Sequence, residues 1–123
     1  MKSYTDLEQS KKLAEILPLE SADACWTNHL FNSFLSSWRV ESTPLQEYKS
    51  LLDRFVVKGY LIEPTWSLAA LLDVLPQGTR ILKSSINDTY HCDCPKENID
   101  KWFDNPIDAC YRMILKLHEL KML

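Results

Sequence analysis

The last part of the chain contains the feature that most constrains its fold, an amphipathic helix with a start signal and an apolar stripe. In the run Asn105-Pro106-Ile107-Asp108, the asparagine suits a helix cap, the proline suits the first helical position, and the aspartate favours the positive helix end. Apolar residues then recur at helical spacing, namely Ile107, Cys110, Tyr111, Ile114 and Leu117. The pattern predicts a helix over about 106–120, and its stripe has to be buried against another element.

Three earlier helices are predicted over about 5–17, 44–57 and 66–75. Thr5 and Glu8 fit a capping box at the start of the first helix. Thr43-Pro44 suits the start of the second helix, because proline is favoured at the first helical position. Thr65 or Ser67 can cap the third helix. Nearly every position of that helix is apolar, so we expect it to be largely buried.

Two six-residue stretches, LAEILP at Leu13–Pro18 and LLDVLP at Leu71–Pro76, nearly coincide. Proline cannot continue a helix, so each stretch predicts a helix end. Outside the stretches the sequences diverge, since Lys11 and Lys12 of the first align with two alanines of the second. We interpret the similarity as the same way of ending a helix and not as an internal repeat.

A β-hairpin is predicted over about 80–94, where two strand-like runs flank the turn pair Asn87-Asp88. Short strands near Trp26 and over Tyr60-Leu61-Ile62, before Pro64, are candidates to join the hairpin in one sheet. Between them, Asn28 is a candidate cap for a helix. The chain of 123 residues suits one domain, 1–123. We expect an α+β fold in which a small antiparallel sheet packs against the helices.

Charge and hydropathy argue against two classes of partner. The net charge is −3, whereas a nucleic-acid-binding protein usually carries a basic surplus. No run of about 18 apolar residues occurs, so no membrane span or membrane partner is expected. The polar start MKSYTDLEQSKK lacks an apolar signal core, which predicts an unprocessed, cytoplasmic chain.

The stretch His91-Cys92-Asp93-Cys94 most resembles a ligand or metal site. On a strand, Cys92 and Cys94 share one face and His91 lies on the other. Two thiols do not complete a tetrahedral zinc shell, so Cys25 with His29, or Cys110, would have to approach them. The alternative interpretation is that the cysteines are free thiols facing the core, as expected in a reducing cytoplasm. We favour the free thiols and expect neither a cofactor nor catalysis.

A winged-helix DNA-binding domain is a further alternative, because LLDRFVVKGYLIE predicts a helix, a glycine turn and a short strand. The helix over about 44–57 is balanced in charge and not basic, which does not favour DNA binding. The residues that would contact DNA in this alternative are all basic: Lys11, Lys12, Lys49, Arg54 and Lys58.

Three stretches, SYTDLEQSKKLAEILPLESAD, PTWSLAALLDVLP and FDNPIDACYRMILKLHELKML, resemble a family of small proteins of Bacteroides-type gut bacteria. Members are often found in prophage or mobile-element surroundings, and the resemblance transfers no catalytic residues to this chain. The segment 25–62 differs from the family, so we interpret it as variable and as the presented surface. Its candidate interaction residues are His29, Phe31, Phe34 and Trp38.

The sequence therefore predicts a protein that is not an enzyme. We expect a non-catalytic protein-interaction or accessory module of a phage or mobile element, with an unidentified protein partner. The sequence leaves open whether the protein forms a homodimer. The alternatives are a small-molecule or metal-binding protein that uses His91, Cys92 and Cys94, and a DNA-binding regulator.

Overall fold

The computed structural model of the protein describes residues 2–29, 39–41 and 60–123. Among them the chain forms, in order, α1 (Leu7–Ala14), a short 3-10 helix (Leu19–Ser21), β1 (Ala24–His29), β2 (Arg39–Glu41), β3 (Tyr60–Thr65), α2 (Leu68–Val74), β4 (Arg80–Lys83), β5 (Tyr90–Cys94), β6 (Glu97–Asn98) and α3 (Pro106–Glu119). The helix predicted over about 44–57 lies outside the described residues.

The chain divides into two compact units, Asp6–Trp66 and Met1–Thr5 with Ser67–Leu123. Each unit combines a helix with a small antiparallel sheet, so the expected α+β fold is confirmed. The interpretation as one domain stays a prediction.

In the unit Asp6–Trp66, an antiparallel sheet with strand order β2-β1-β3 packs against α1. β1 and β3 pair over their full length, from Ala24 opposite Thr65 to His29 opposite Tyr60. At the interface of α1 with β3, the Ser10 hydroxyl donates a hydrogen bond of 3.1 Å to Thr65 Oγ1, and both residues are fully buried. This polar contact fixes the helix on the strand that it covers.

The first helix is shorter than predicted and has a different cap. Asp6, not Thr5, is the cap: its carboxylate accepts from the Gln9 N–H at 2.8 Å, and the Gln9 side chain accepts from the Asp6 N–H. Thr5 is fully buried, and it groups with the other unit. The helix ends at Ala14, and Pro18 instead precedes the 3-10 helix.

Two predictions for the strands of this unit were wrong. Asn28 belongs to β1, so it is not a helix cap. β3 does not stop before Pro64 but continues through it to Thr65. A proline lacks the N–H that a central strand needs, yet β3 lies at the edge of the described sheet, where that loss is tolerated.

In the unit of Met1–Thr5 with Ser67–Leu123, the predicted hairpin forms as β4 and β5, and β6 extends it to strand order β4-β5-β6. The predicted terminal helix forms as α3 and packs against β5. Asn105 caps it by accepting from the Asp108 N–H at 2.9 Å, with Pro106 in the first turn. Four residues of the expected stripe, Ile107, Cys110, Ile114 and Leu117, are buried on α3. Tyr111, the fifth, is only half-buried, and Met113 is buried instead.

The third predicted helix forms as α2 but is less buried than expected. Ser67, one of the two predicted caps, accepts from the Ala70 N–H, and α2 packs against α3. Only Ala70 and Leu71 are buried within the helix, because this short helix turns one face to the core. The hairpin also does not join the strands near Trp26 and Tyr60, which belong to the sheet of the other unit.

Candidate functional site

The two faces of the β4–β5 hairpin differ in what they contact. The register places Arg80 opposite Asp93 and Leu82 opposite His91, so these four residues share one face. Ile81 and Cys92, which alternate with them, share the other face, which is turned toward α3. We call the face that carries Arg80, Leu82, His91 and Asp93 the outer face.

The outer face carries exposed apolar side chains around an aromatic pair. The Trp102 side chain is 46% exposed, and its ring centroid lies 5.3 Å from that of His91. His91 is held in turn by its Nδ1, which lies 3.1 Å from the Lys101 carbonyl oxygen. Leu82, opposite His91, is 38% exposed. The outer face therefore presents Trp102 and Leu82 to solvent on a hydrogen-bonded strand pair.

An open cleft of about 360 Å³ lies at the loop end of the hairpin, lined by Ser84, Ile86, Asn87, Thr89 and Trp102. Ile86 is 91% exposed. The loop that carries it is held by the Ser84 hydroxyl, which accepts from the N–H groups of Ile86 and Asn87 at 3.1 and 3.3 Å. An apolar side chain is thus displayed to solvent by a hydrogen-bonded loop.

The outer edge of β4 presents backbone groups that are not used in the hairpin. The Ser84 N–H donates to the Thr89 carbonyl at 2.9 Å, which marks this opposed pair as hydrogen-bonded. In an antiparallel ladder, hydrogen-bonded pairs alternate with pairs whose backbone groups point away. Ile81 and Lys83 therefore direct their N–H and C=O groups away from β5. No strand among the described residues pairs with this edge.

Both cationic side chains of β4 have acidic partners within the unit. The Arg80 guanidinium donates to Asp93 Oδ2 at 2.6 Å and 3.2 Å. Lys83 Nζ lies 3.9 Å from Asp88 Oδ1 and 5.8 Å from the centre of the Tyr90 ring. The edge is therefore close to neutral, and it offers hydrogen bonds and apolar contacts more than charge.

Cys92 and Cys94 both lie buried on β5, and all four cysteines of the chain are buried and outside any disulfide. Hydrogen bonding between the Cys92 thiol and the Cys110 thiol of α3 shifts the pKa values of both. This hydrogen bond raises the pKa of Cys110, and burial and the neighbouring Cys92 raise it further. The same hydrogen bond lowers the pKa of Cys92, although burial and Asp93 oppose that effect. Cys92 is therefore the more acidic thiol of the pair.

The residues predicted as a ligand or metal site do not converge. Cys92 and Cys94 alternate with His91 along β5, so His91 lies on the outer face and the thiols lie toward the core. A metal site would require Cys110, or Cys25 with His29, close to Cys92 and Cys94. Of these residues, Cys110 does lie close to Cys92. Within the parts of the chain that the structure describes, no three His, Cys, Asp or Glu side chains group as metal ligands.

The other predicted site residues lie mostly outside the described residues. His29 is the last residue of β1, while Phe31, Phe34 and Trp38 fall in the segment that is not described. Of the basic residues, Lys11 and Lys12 are exposed on α1, and Lys12 Nζ lies 3.8 Å from Glu15. Lys49, Arg54 and Lys58 are also outside the described residues.

The sequence did not predict the cleft at the hairpin loop or the open edge of β4. The available signal was Ile86, an apolar residue directly before the turn pair Asn87-Asp88, where polar residues are usual. Trp102 gave a weaker signal, as a tryptophan in a polar stretch. The backbone groups of the β4 edge have no sequence signature, since they follow from the pairing pattern alone.

Comparison with protein-family models, with curated proteins and with solved structures found no match in any of the three. The likeness to small proteins of gut bacteria therefore stays an expectation from the sequence. None of the helices in the described residues is long and apolar enough to cross a membrane.

Proposed function

We propose that the protein is a non-catalytic interaction module that binds an extended segment of a partner protein along the edge of β4. The observation that carries this proposal is the open edge at Ile81 and Lys83, which adjoins the exposed apolar cleft at Ile86 and Trp102. An extended segment can add to such an edge as a further strand, with main-chain hydrogen bonds giving affinity and side-chain pockets giving specificity.

The cleft supplies the side-chain contacts of this mode of binding. Ser84 both follows β4 and lines the cleft, so a segment paired with β4 reaches the cleft as it leaves the strand. There it meets Ile86 and Trp102, and exposed tryptophans are over-represented among residues that dominate binding energy. The hydrogen bonds that hold the loop and His91 reduce the ordering cost of binding.

A different protein fits the site better than a second copy of this chain. Two copies that pair edge to edge through β4 share only a four-residue strand on each side. That overlap is small beside the roughly 1,200–2,000 Å² that stable interfaces bury. A partner segment that fills the cleft as well as pairing with the strand gains contacts at both places.

The experiment selects peptides from a displayed random library on the purified full chain, and compares the variants Lys83→Pro and Lys83→Ala. The Lys83 N–H points away from β5, so proline removes an edge donor and keeps the hairpin hydrogen bonds. Alanine removes the same side chain but keeps the donor. We expect selected peptides to bind Lys83→Ala nearly as well as the unchanged protein, and Lys83→Pro about tenfold more weakly.

Two controls make the experiment decisive. Circular dichroism and unfolding of Lys83→Pro have to match those of Lys83→Ala, and Trp102→Ala should weaken the same peptides. If the selected peptides bind Lys83→Pro as tightly as the unchanged protein, the β4 edge is not the binding site. A selection that enriches no peptide would also contradict the proposal. Concentration-dependent dimers that disappear in Lys83→Pro would assign the edge to a second copy instead.

The narrower proposal, that this module is an accessory protein of a phage or mobile element, rests on the sequence resemblance. It is tested by co-expression with the products of neighbouring genes. A neighbour that binds the protein, and loses that binding in Lys83→Pro, would supply both the partner and the setting.

A further inference from the structure

The outer face of the hairpin continues into the cleft at its loop end. Ser84 and Thr89 form the next opposed pair after Lys83 and Tyr90, so their side chains return to the outer face. Both residues line the cleft together with Trp102. A partner side chain that lies beside Ser84 on the outer face therefore lies at the cleft.

Trp102 extends the outer face on the far side of β5. Phe103 bridges Tyr90 in antiparallel register, which places the preceding residue, Trp102, opposite His91. Leu82 faces His91 from the other side. Leu82, His91 and Trp102 therefore form a cross-strand row on one face, and side chains in such a row contact one another. The 5.3 Å between the His91 and Trp102 rings agrees with this arrangement.

We propose that the partner segment is an alternating strand that runs antiparallel to β4 and places two apolar side chains on the outer face. The first is aromatic and fills the cleft beside Ser84, and the second is a branched aliphatic residue that packs on Leu82. This inference rests on the proposed function and narrows it to one class of segment. That class is aromatic-x-aliphatic, where x is any residue except proline.

Exposure and charge determine why these two side chains are apolar. Leu82 and Trp102 are exposed, so a segment that covers them removes apolar surface from water. The Arg80 guanidinium on the same face is already bonded to Asp93 at 2.6 Å, so a charged partner side chain gains little there. An aromatic side chain suits the cleft because aromatic rings pack favourably against one another, here against Trp102.

The backbone of β4 determines the spacing of the two apolar residues. Leu82 and Ser84 direct their backbone groups to β5, whereas Lys83 directs its own outward. In antiparallel pairing, which is the slightly more stable kind and the one used throughout this sheet, residues opposite Leu82 and Ser84 form the pairs with the closest side chains. The residue between them exchanges two hydrogen bonds with Lys83 and needs its own N–H. Its side chain lies on the other face, where Lys83 already has an acidic neighbour at 3.9 Å.

The test compares two labelled synthetic peptides of the same composition on the full chain by fluorescence anisotropy. In Thr-Phe-Thr-Val-Thr-Thr the two apolar side chains share one face of an extended strand, and in Thr-Thr-Phe-Val-Thr-Thr they lie on opposite faces. We expect the first peptide to bind about tenfold more tightly. Leu82→Thr, which keeps a strand-forming residue, should remove most of this preference. Lys83→Ala changes the opposite face and should keep it.

N-methylation of the first peptide tests the direction of the segment. A methyl group on the nitrogen of the threonine between Phe and Val blocks the N–H that is donated to the Lys83 carbonyl, and should weaken binding about tenfold. The same change at Val, whose N–H points away from β4, should have little effect. The reverse result would indicate a parallel segment and would overturn the proposal.

The outcomes separate this inference from the proposed function. If library peptides bind and depend on the Lys83 N–H, while the two synthetic peptides bind equally or not at all, the β4 edge remains the binding site and the alternating class is wrong. If no peptide depends on the Lys83 N–H, both proposals fail. The comparison of the two peptides on the unchanged chain decides the matter even where Leu82→Thr does not fold.

Discussion

Asn105 is a single side chain that determines where the longest described helix begins. Its carbonyl oxygen accepts from the Asp108 N–H at 2.9 Å, and its amide nitrogen donates to the Asp108 carboxylate at 2.8 Å. Replacement by alanine leaves the Asp108 N–H without this acceptor, so Asn105→Ala should reduce the free energy of unfolding by about 1 kcal/mol. Urea denaturation measures the change. Asn105→Ser keeps a capping oxygen and should lose less, and equal losses in both variants would mean that the cap contributes little.

Residue-scale predictions from the sequence succeeded where the signal is local. The Asn105-Pro106 start depends on adjacent residues alone, and it was predicted to the residue. The cap of α1 was predicted one residue early, because Thr5 and Asp6 are both good cap residues and no local pattern separates them. The contact of Cys92 with Cys110 depends on how α3 packs on β5, which no local pattern contains.

At the scale of elements, the contact of α1 with β3 gives a prediction about a buried polar pair. Ser10 and Thr65 are fully buried, and their hydroxyls are joined at 3.1 Å. Ser10→Ala or Thr65→Val alone removes this hydrogen bond, at a cost of about 0.5–1.5 kcal/mol. The double variant should lose less than the sum of the two. Urea unfolding of the four proteins measures the coupling, and strict additivity would show that the pair is not coupled.

The elements themselves divide into those with local signals and those built by distant pairing. The hairpin of β4 and β5 and the helix α3 were predicted because turn residues, caps and apolar periodicity lie within each segment. The pairing of β1 with β3 joins residues far apart in sequence, and the apolar runs near Trp26 and Tyr60 fit several partners. The candidate site was missed for the same reason, since the open edge of β4 exists only once the strand order is known.

At the scale of the whole molecule, the chain path ties the two units together. Met1–Thr5 belongs with Ser67–Leu123, although Asp6–Trp66 lies between them in sequence. The first residues are bound within that unit: Lys2 Nζ lies 2.7 Å from Asp108 Oδ1, and Tyr4 forms a β-bridge with Ser67. Cutting the chain after Trp66 therefore separates Met1–Thr5 from the unit to which they belong.

Removal of residues 1–5 tests this chain path directly. The truncated chain loses the ion pair at Asp108, the bridge at Ser67 and the burial of Thr5, which is fully enclosed. We expect a lower urea midpoint and faster hydrogen exchange in α3, although α3 begins about a hundred residues away in sequence.

Lys2→Ala is the control that loses the ion pair alone and should shift the midpoint much less. If the chain is one cooperative domain, circular dichroism and tryptophan fluorescence should agree with each other on a single, lowered midpoint in the truncated protein. Separate midpoints would show that Asp6–Trp66 and Ser67–Leu123 unfold independently, and unchanged exchange in α3 would show that the first residues do not support that unit.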